Sequence, residues 1–152
     1  MSNAIWFLLI VLIVAILMVG GINYRTGGSV RKRSGGLARR ALTSRHKEVV
    51  AREWEQVQSL LAAGRGSSFG AAIIEADKLL DYCLKSLGAS GTTLGERLRS
   101  AEPRFSDYQG LWQAHKLRNR LVHEHDSNPT PSEIERAVGQ FERALRDLGA
   151  LR

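Results

Sequence analysis

The amino-acid sequence predicts an all-α protein: a single N-terminal transmembrane helix followed by an antiparallel four-helix bundle. Three observations carry this. The segment Ala4 to Ile22, AIWFLLIVLIVAILMVGGI, contains no ionisable side chain, and its length at about 1.5 Å per residue gives about 28 Å, close to the thickness of a hydrocarbon core. Beyond residue 48, apolar residues recur every three or four positions, which is the helical period. No window alternates with period two, so no strand is expected. The 152 residues then divide into a short tail (1–3), the span (4–22), a basic Gly-containing linker (23–47) and a helical bundle domain (48–152). A domain of about 105 residues can bury a core without disulfides or metals.

Each element has its own signal. A cleavable signal peptide would place a basic residue before the apolar run and an Ala-x-Ala site after it; neither stands here, so the span reads as an uncleaved anchor. Val50, Trp54, Val57 and Leu61 mark a first bundle helix near 44–63, ended by Gly64 and Gly66. Ser67 or Ser68 can cap a second helix. Its apolar stripe runs from Ala72 and Ile73 through Leu80 and Leu84 to Leu87, and Gly88 stands at a C-cap position. Leu94 to Ala101 reads as a short helix that Pro103 breaks. A third long helix is expected from about Ser106, carrying Tyr108, Leu111, Trp112, Leu117, Leu121 and Val122 and closing at Asp126 to Pro129. Thr130-Pro-Ser-Glu133 is a capping box with proline at the first helical position. Ile134, Val138, Phe141, Leu145 and Leu148 then line one face up to Gly149. Trp54, Trp112 and Phe141 read as core residues.

The formal net charge of +7, with a pI near 10.2, first suggests a nucleic-acid partner. Position changes that reading. Residues 1–22 are uncharged, whereas 23–47 hold Arg25, Arg31, Lys32, Arg33, Arg39, Arg40, Arg45 and Lys47 with no acid, leaving fourteen cations against fifteen acids in the bundle domain. The excess belongs to the linker, and the domain offers no broad electrostatic footprint for RNA. Cations on the C-terminal side of the span place that side in the cytoplasm by the positive-inside rule. The linker reads as a Gly-rich tether that also touches anionic lipid, at about 1 kcal/mol per cation near the surface. The expected location is therefore the cell membrane, single-pass, with the C-terminal domain cytoplasmic. A lone Cys83 fits a reducing compartment.

Motifs exclude several enzyme classes. There is no phosphate-binding Gly-rich loop, dinucleotide fingerprint, Cys-x-x-Cys, His-Glu-x-x-His or nucleophile elbow, and no signal for a cofactor or metal. What remains is the polar cluster His115-Lys-Leu-Arg118-Asn119-Arg120-Leu-Val-His123-Glu124-His125. On a helix His115, Asn119 and His123 share one column. This stretch, late in a helical domain with one helix to follow, resembles the HEPN superfamily of four-helix domains, which includes metal-independent ribonucleases and toxins. Its mark is an arginine, commonly followed by a polar residue, with a histidine four to six positions on. The resemblance covers about residues 48–148, in helix order and in motif, and is to bacterial members of the group. Arg120 and His125 fit the spacing too, but Asn119 after Arg118 favours the Arg118–His123 frame.

The resemblance implies a catalytic set of Arg118, Asn119 and His123. His123 would move protons between the ribose 2′-hydroxyl, the phosphate and the leaving oxygen, since an imidazole titrates near neutral pH. Arg118 would hold the scissile phosphate, and Asn119 would orient the phosphate or His123. Residues five apart on a helix point about 140° apart, so Arg118 and His123 converge through a long side chain, fraying or a dimer cleft. The resemblance implies a homodimer, since active members of that superfamily commonly build the site at a dimer interface, although the span lacks a Gly-x-x-x-Gly motif. The residues themselves also support a plainer account. His115 reads as a half-buried helix residue, Glu75 and Asp77 as solvated or ion-paired, and Arg118 as a partner for a carboxylate inside the bundle. Two functions stand: a membrane-tethered RNA endonuclease, and a non-catalytic binding or scaffold bundle that binds a protein partner or a nucleotide at the cytoplasmic membrane face. For the topology, a fluorescent protein fused after Arg152 is expected to fluoresce in cells while alkaline phosphatase fused there stays inactive. The opposite pattern would refute the orientation.

Overall fold

The computed structural model describes residues 40–64, 66–123 and 129–152. Among these residues every regular element is helical: α1 (Ser44–Ala62), α2 (Gly66–Ser86), α3 (Leu94–Ser100), a 3-10 turn (Glu102–Arg104), α4 (Tyr108–His123) and α5 (Pro131–Asp147). The expected membrane span, residues 4–22, and most of the basic linker lie outside the described residues. Among the described ones, no helix is long and apolar enough to cross a membrane.

Local chemistry sets where the helices begin. Three of them open with a capping box, in which the cap threonine and the residue three positions on satisfy each other's backbone amides. Thr130 and Glu133 do so at α5, as the sequence leads one to expect. Thr93 and Glu96 repeat the device at α3. At α1 the partner of Thr43 is His46, whose Nδ1 accepts from the Thr43 amide at 3.4 Å, and whose ring meets Tyr82 edge-on at 5.8 Å. Leu42, on the linker side of that cap, is buried in the core, so the bundle's packing begins ahead of α1. α4 starts at Tyr108 and not at Ser106, because Ser106 is engaged elsewhere: its amide and hydroxyl donate to Asp147 at 2.7 and 2.8 Å. Asp107 then caps α4, accepting from the Gly110 amide at 2.9 Å.

The helix ends follow the glycines. Gly88 (φ 74°) and Gly149 (φ 70°) adopt the left-handed conformation. There the Ala89 amide reaches back to the Leu84 carbonyl and the Ala150 amide to that of Leu145, at 2.9 and 2.8 Å, which satisfies carbonyls the helix end would otherwise leave unpaired.

α2 is the central element and packs against all four other helices, while α4 and α5 also pack on each other. Its apolar stripe, Ile73, Leu80, Cys83 and Leu84, meets Val50, Trp54 and Val57 of α1 and Phe141 and Leu145 of α5 in one buried core. Trp54 and Phe141 are buried as expected, whereas Trp112 is only half-buried against the core edge. Val122 departs from the expected apolar face at 45% exposed. It stands one turn after Arg118 on a column that leaves the core. Cys83 is fully buried, and burial pushes its thiol up to about 12, so it behaves as a small core hydrophobe and not as a nucleophile.

The capping carboxylates make stability depend on acid. Bonds from the Thr92 amide and hydroxyl and the Thr93 amide hold Glu96 below the ordinary glutamate range, and the Thr130 amide and hydroxyl do the same for Glu133. Both contributions are therefore present above the unfolded-state titration near about pH 4.3 and are lost as pH falls through the lower folded values. Glu133→Gln is expected to flatten the fall in melting temperature between about pH 5 and pH 3. Thr130→Ala should cost about 1 kcal/mol in chemical denaturation at neutral pH, and an unchanged midpoint would refute the cap's role.

Candidate functional site

The site is built on α2 and α4. Asp77 stands on α2 in phase with Ile73, Leu80 and Leu84, and it is buried at 4% exposed. A carboxylate placed there must be paired, because an isolated buried charge is costly. α4 supplies the partners at positions three and four apart, the spacing that shares one helix face. His115, itself 9% exposed, brings Nδ1 to 2.8 Å from Asp77 Oδ1. Arg118 places Nε 3.2 Å from Asp77 Oδ2. That N–H is not aligned for a directed hydrogen bond, so the Arg118 contribution is Coulombic.

Asn119 closes the arrangement into a ring. Its Nδ2 lies 3.2 Å from His115 Nε2, and its Oδ1 accepts from Arg118 Nη1 at 3.1 Å. The donors and acceptors run in one direction. The Asp77 carboxylate accepts only, so His115 donates through Nδ1. Its Nε2 is then free to accept from the Asn119 amide, and the Asn119 carbonyl is left to accept from Arg118. The ring holds a neutral imidazole between a carboxylate and a guanidinium, and Arg118 Nη2 remains outside it.

One wall comes from α3. Arg97, buried at 6% exposed, donates through Nε to Asp81 Oδ1 at 2.7 Å and through Nη1 to the Gly91 carbonyl at 2.8 Å. Lys85 holds the other Asp81 oxygen at 2.7 Å. Gly91 (φ 135°) lies so close to the Glu96–Arg97 backbone that a Cβ would collide with it. With α3 pinned this way, Asp77, Lys78, Asp81, Thr93, Leu94, Gly95, His115, Arg118 and Asn119 line an open cleft of about 440 Å³. Gly95 lies against its floor: a Cβ there would stand in ordinary contact with the Trp112 ring at 3.4 Å and His115 Nε2 at 3.8 Å. Trp112 forms the shoulder. It stacks on Tyr108 with ring centroids 6.1 Å apart, tilts against His115 at 5.8 Å, and carries the Arg99 guanidinium over its face at 5.2 Å.

Of the residues singled out in the sequence, Arg118 and Asn119 meet in the cleft, joined by His115 and Asp77. His123 does not join them; it is exposed in the last turn of α4 and outside the cleft lining. Glu75 is ion-paired with Lys78 at 2.7 Å. Glu124 and His125 lie outside the described residues, among which no cluster of three or more His, Cys, Asp or Glu could hold a metal. Sequence reasoning did not single out Arg97 or Asp81. The available signal was phase: Arg97 falls between Leu94 and Leu98 on the apolar stripe of α3, as Asp77 does on α2 and His115 on α4. No protein-family model, curated protein or solved structure matches the chain.

Breaking the ring should be costly. Asp77→Ala is expected to lose about 3 kcal/mol in chemical denaturation, since it strands a half-buried guanidinium and a buried imidazole. A double-mutant cycle of Asp77→Ala with Arg118→Ala should show a coupling of more than about 1 kcal/mol, and additivity would mean the two do not act as a pair.

Proposed function

We propose that the chain is a membrane-anchored, HEPN-like domain protein whose helical bundle is a non-catalytic binding module, with the α2–α3–α4 cleft as its ligand site. The observation that carries this reading is the commitment of Arg118. The arginine that would have to grip a scissile phosphate is tied to buried Asp77 and to Asn119, while His123 stands exposed and outside the cleft. A general acid–base and its phosphate clamp must reach one reacting group within hydrogen-bond distance. Five residues apart on one helix, this pair diverges by about 140°.

The ribonuclease reading has one observation in its favour: Arg118 Nη2 is free of the ring, and Arg118 and Asn119 both line the cleft. It then needs His123 from a second copy, and with it a homodimer. The two readings separate by experiment. Incubated with single-stranded RNA in EDTA, the detergent-solubilised full chain is expected to leave the RNA intact. Cleavage that disappears in His123→Ala or Arg118→Ala would overturn the binding-module reading. Partner capture by cross-linking in native membranes should survive His123→Ala and be lost in Gly95→Leu, which fills the cleft.

A further inference from the structure

Residues 40–47, expected as part of the linker, belong to the bundle and bring cations into it. Taking the chain as membrane-anchored, on which this inference rests, we propose that the end of the bundle formed by Arg40, Arg45, Lys47 and Arg104 docks on the anionic headgroups of the membrane that holds the apolar span. The bundle is then held end-on to the bilayer and does not merely hang from it.

Packing fixes these cations in place. Leu42 is buried and Thr43 caps α1, so the chain is fastened to the core from its first described residues. Before Leu42, the Arg40 guanidinium lies against Gly88 at the end of α2, where a Cβ would collide with it. The Arg40 carbonyl accepts from Arg104 Nη1 at 3.1 Å. After Leu42, Arg45 and Lys47 stand exposed in the first turn of α1. α1 and α2 form a hairpin through Gly64, with His46 packed on Tyr82. The start of α1, the end of α2 and the 3-10 turn that carries Arg104 therefore share one end of the bundle. The acids nearest to these four cations in sequence are two, Glu48 and Glu102, so the balance there is positive. Asp81 is held by Arg97 and Lys85, and Asp147 by Ser106.

The arrangement of charge selects the partner. A cation in the first turn opposes the helix dipole and weakens the helix in the bundle alone; α1 has Arg45 and Lys47 there and no acid. A negatively charged surface converts that repulsion into attraction. Such a surface is tied to this end by the chain itself, because only 17 residues, 23–39, separate Ile22 at the end of the apolar run from Arg40. Fully extended, 17 residues reach no more than about 60 Å, and a Gly-rich coil of that length spans about 23 Å. The Arg40 end thus meets the leaflet at a high effective concentration. The same 17 residues hold Arg25, Arg31, Lys32, Arg33 and Arg39 with no acid, so positive charge continues from the flank of the span into the folded end. Anionic headgroups attract such cations within a Debye length of the surface.

The test uses the full chain in vesicles, with a fluorophore on Ser44→Cys at this end or on Ser67→Cys at the opposite end of the hairpin; Cys83 is buried and stays unlabelled. The vesicles carry a quencher on a lipid headgroup and consist either of phosphatidylcholine or of phosphatidylcholine with about 30% phosphatidylglycerol. Quenching at Ser44→Cys is expected to be at least about twofold stronger in the anionic vesicles and to lose that difference in about 0.5 M salt, while Ser67→Cys shows no dependence on lipid charge. Arg45→Gln combined with Lys47→Gln should abolish the difference and also raise the thermal midpoint of the chain in neutral detergent, since the opposing first-turn charges are gone. A variant that had merely misfolded would lower that midpoint. Equal quenching in both lipids, a stronger response at Ser67→Cys, or a difference that survives the double substitution overturns the docking. A signal that follows the number of chains per vesicle and ignores lipid charge assigns this end to a second copy, and overturns it too. A chain stripped from the vesicles by alkaline carbonate overturns the anchor and the docking together, whereas one that stays and is quenched equally overturns the docking alone.

Discussion

The buried carboxylate of Asp77 is the constraint around which the α2–α4 half of the bundle is arranged. A charge removed from water must be met by opposite charge and hydrogen bonds. α4 meets it with His115 and Arg118, three positions apart on one face. That requirement sets the rotation of α4 about its own axis. It also places Asn119 where it can span the imidazole and the guanidinium. The apolar core alone would not do this, because burial of hydrocarbon is non-directional and tolerates several rotations of a helix.

The same interaction determines what the site can do. A guanidinium held by a carboxylate and a carboxamide is well oriented but electrostatically satisfied, so it is a poor clamp for an anion while the ring is closed. The second buried ion pair, Arg97 with Asp81, has a different role. It pins the short helix α3, too short to be stable alone, and so fixes the wall of the cleft.

Much of the fold is legible in the periodicity and punctuation of the chain. The α5 stripe of Ile134, Val138, Phe141 and Leu145, its Thr130–Glu133 box, and the glycine ends at Gly88 and Gly149 all rest on interactions within a few residues of each other. The details that differ are those where a distant residue intervenes. Ser106 is drawn to Asp147, across 41 positions, and α4 starts at Tyr108, two residues later than expected. Leu42 enters the core although it belongs to a basic, glycine-containing stretch. Val122 is exposed because it stands on the Arg118 column, which leaves the core.

The polar cluster late in α4 is visible in the sequence, and so are the separation of a basic linker from a near-neutral bundle and the absence of every common cofactor motif. These are properties of residue type and short spacing. The sequence does not reveal which of the polar residues meet. His115 and Asp77 are 38 positions apart, and Arg97 and Asp81 are 16 apart on different helices. Their pairing follows from how α2, α3 and α4 pack, and three-dimensional packing is not a function of local period. The sequence by itself therefore determined the helices and the region of the site. The tertiary structure decided that Arg118 and Asn119 join with His115 and Asp77, while His123, on the same helix, points elsewhere. The physical reason is that a buried charge selects its partners through space, at a cost of several kcal/mol if it fails, whereas helical phase alone only nominates them.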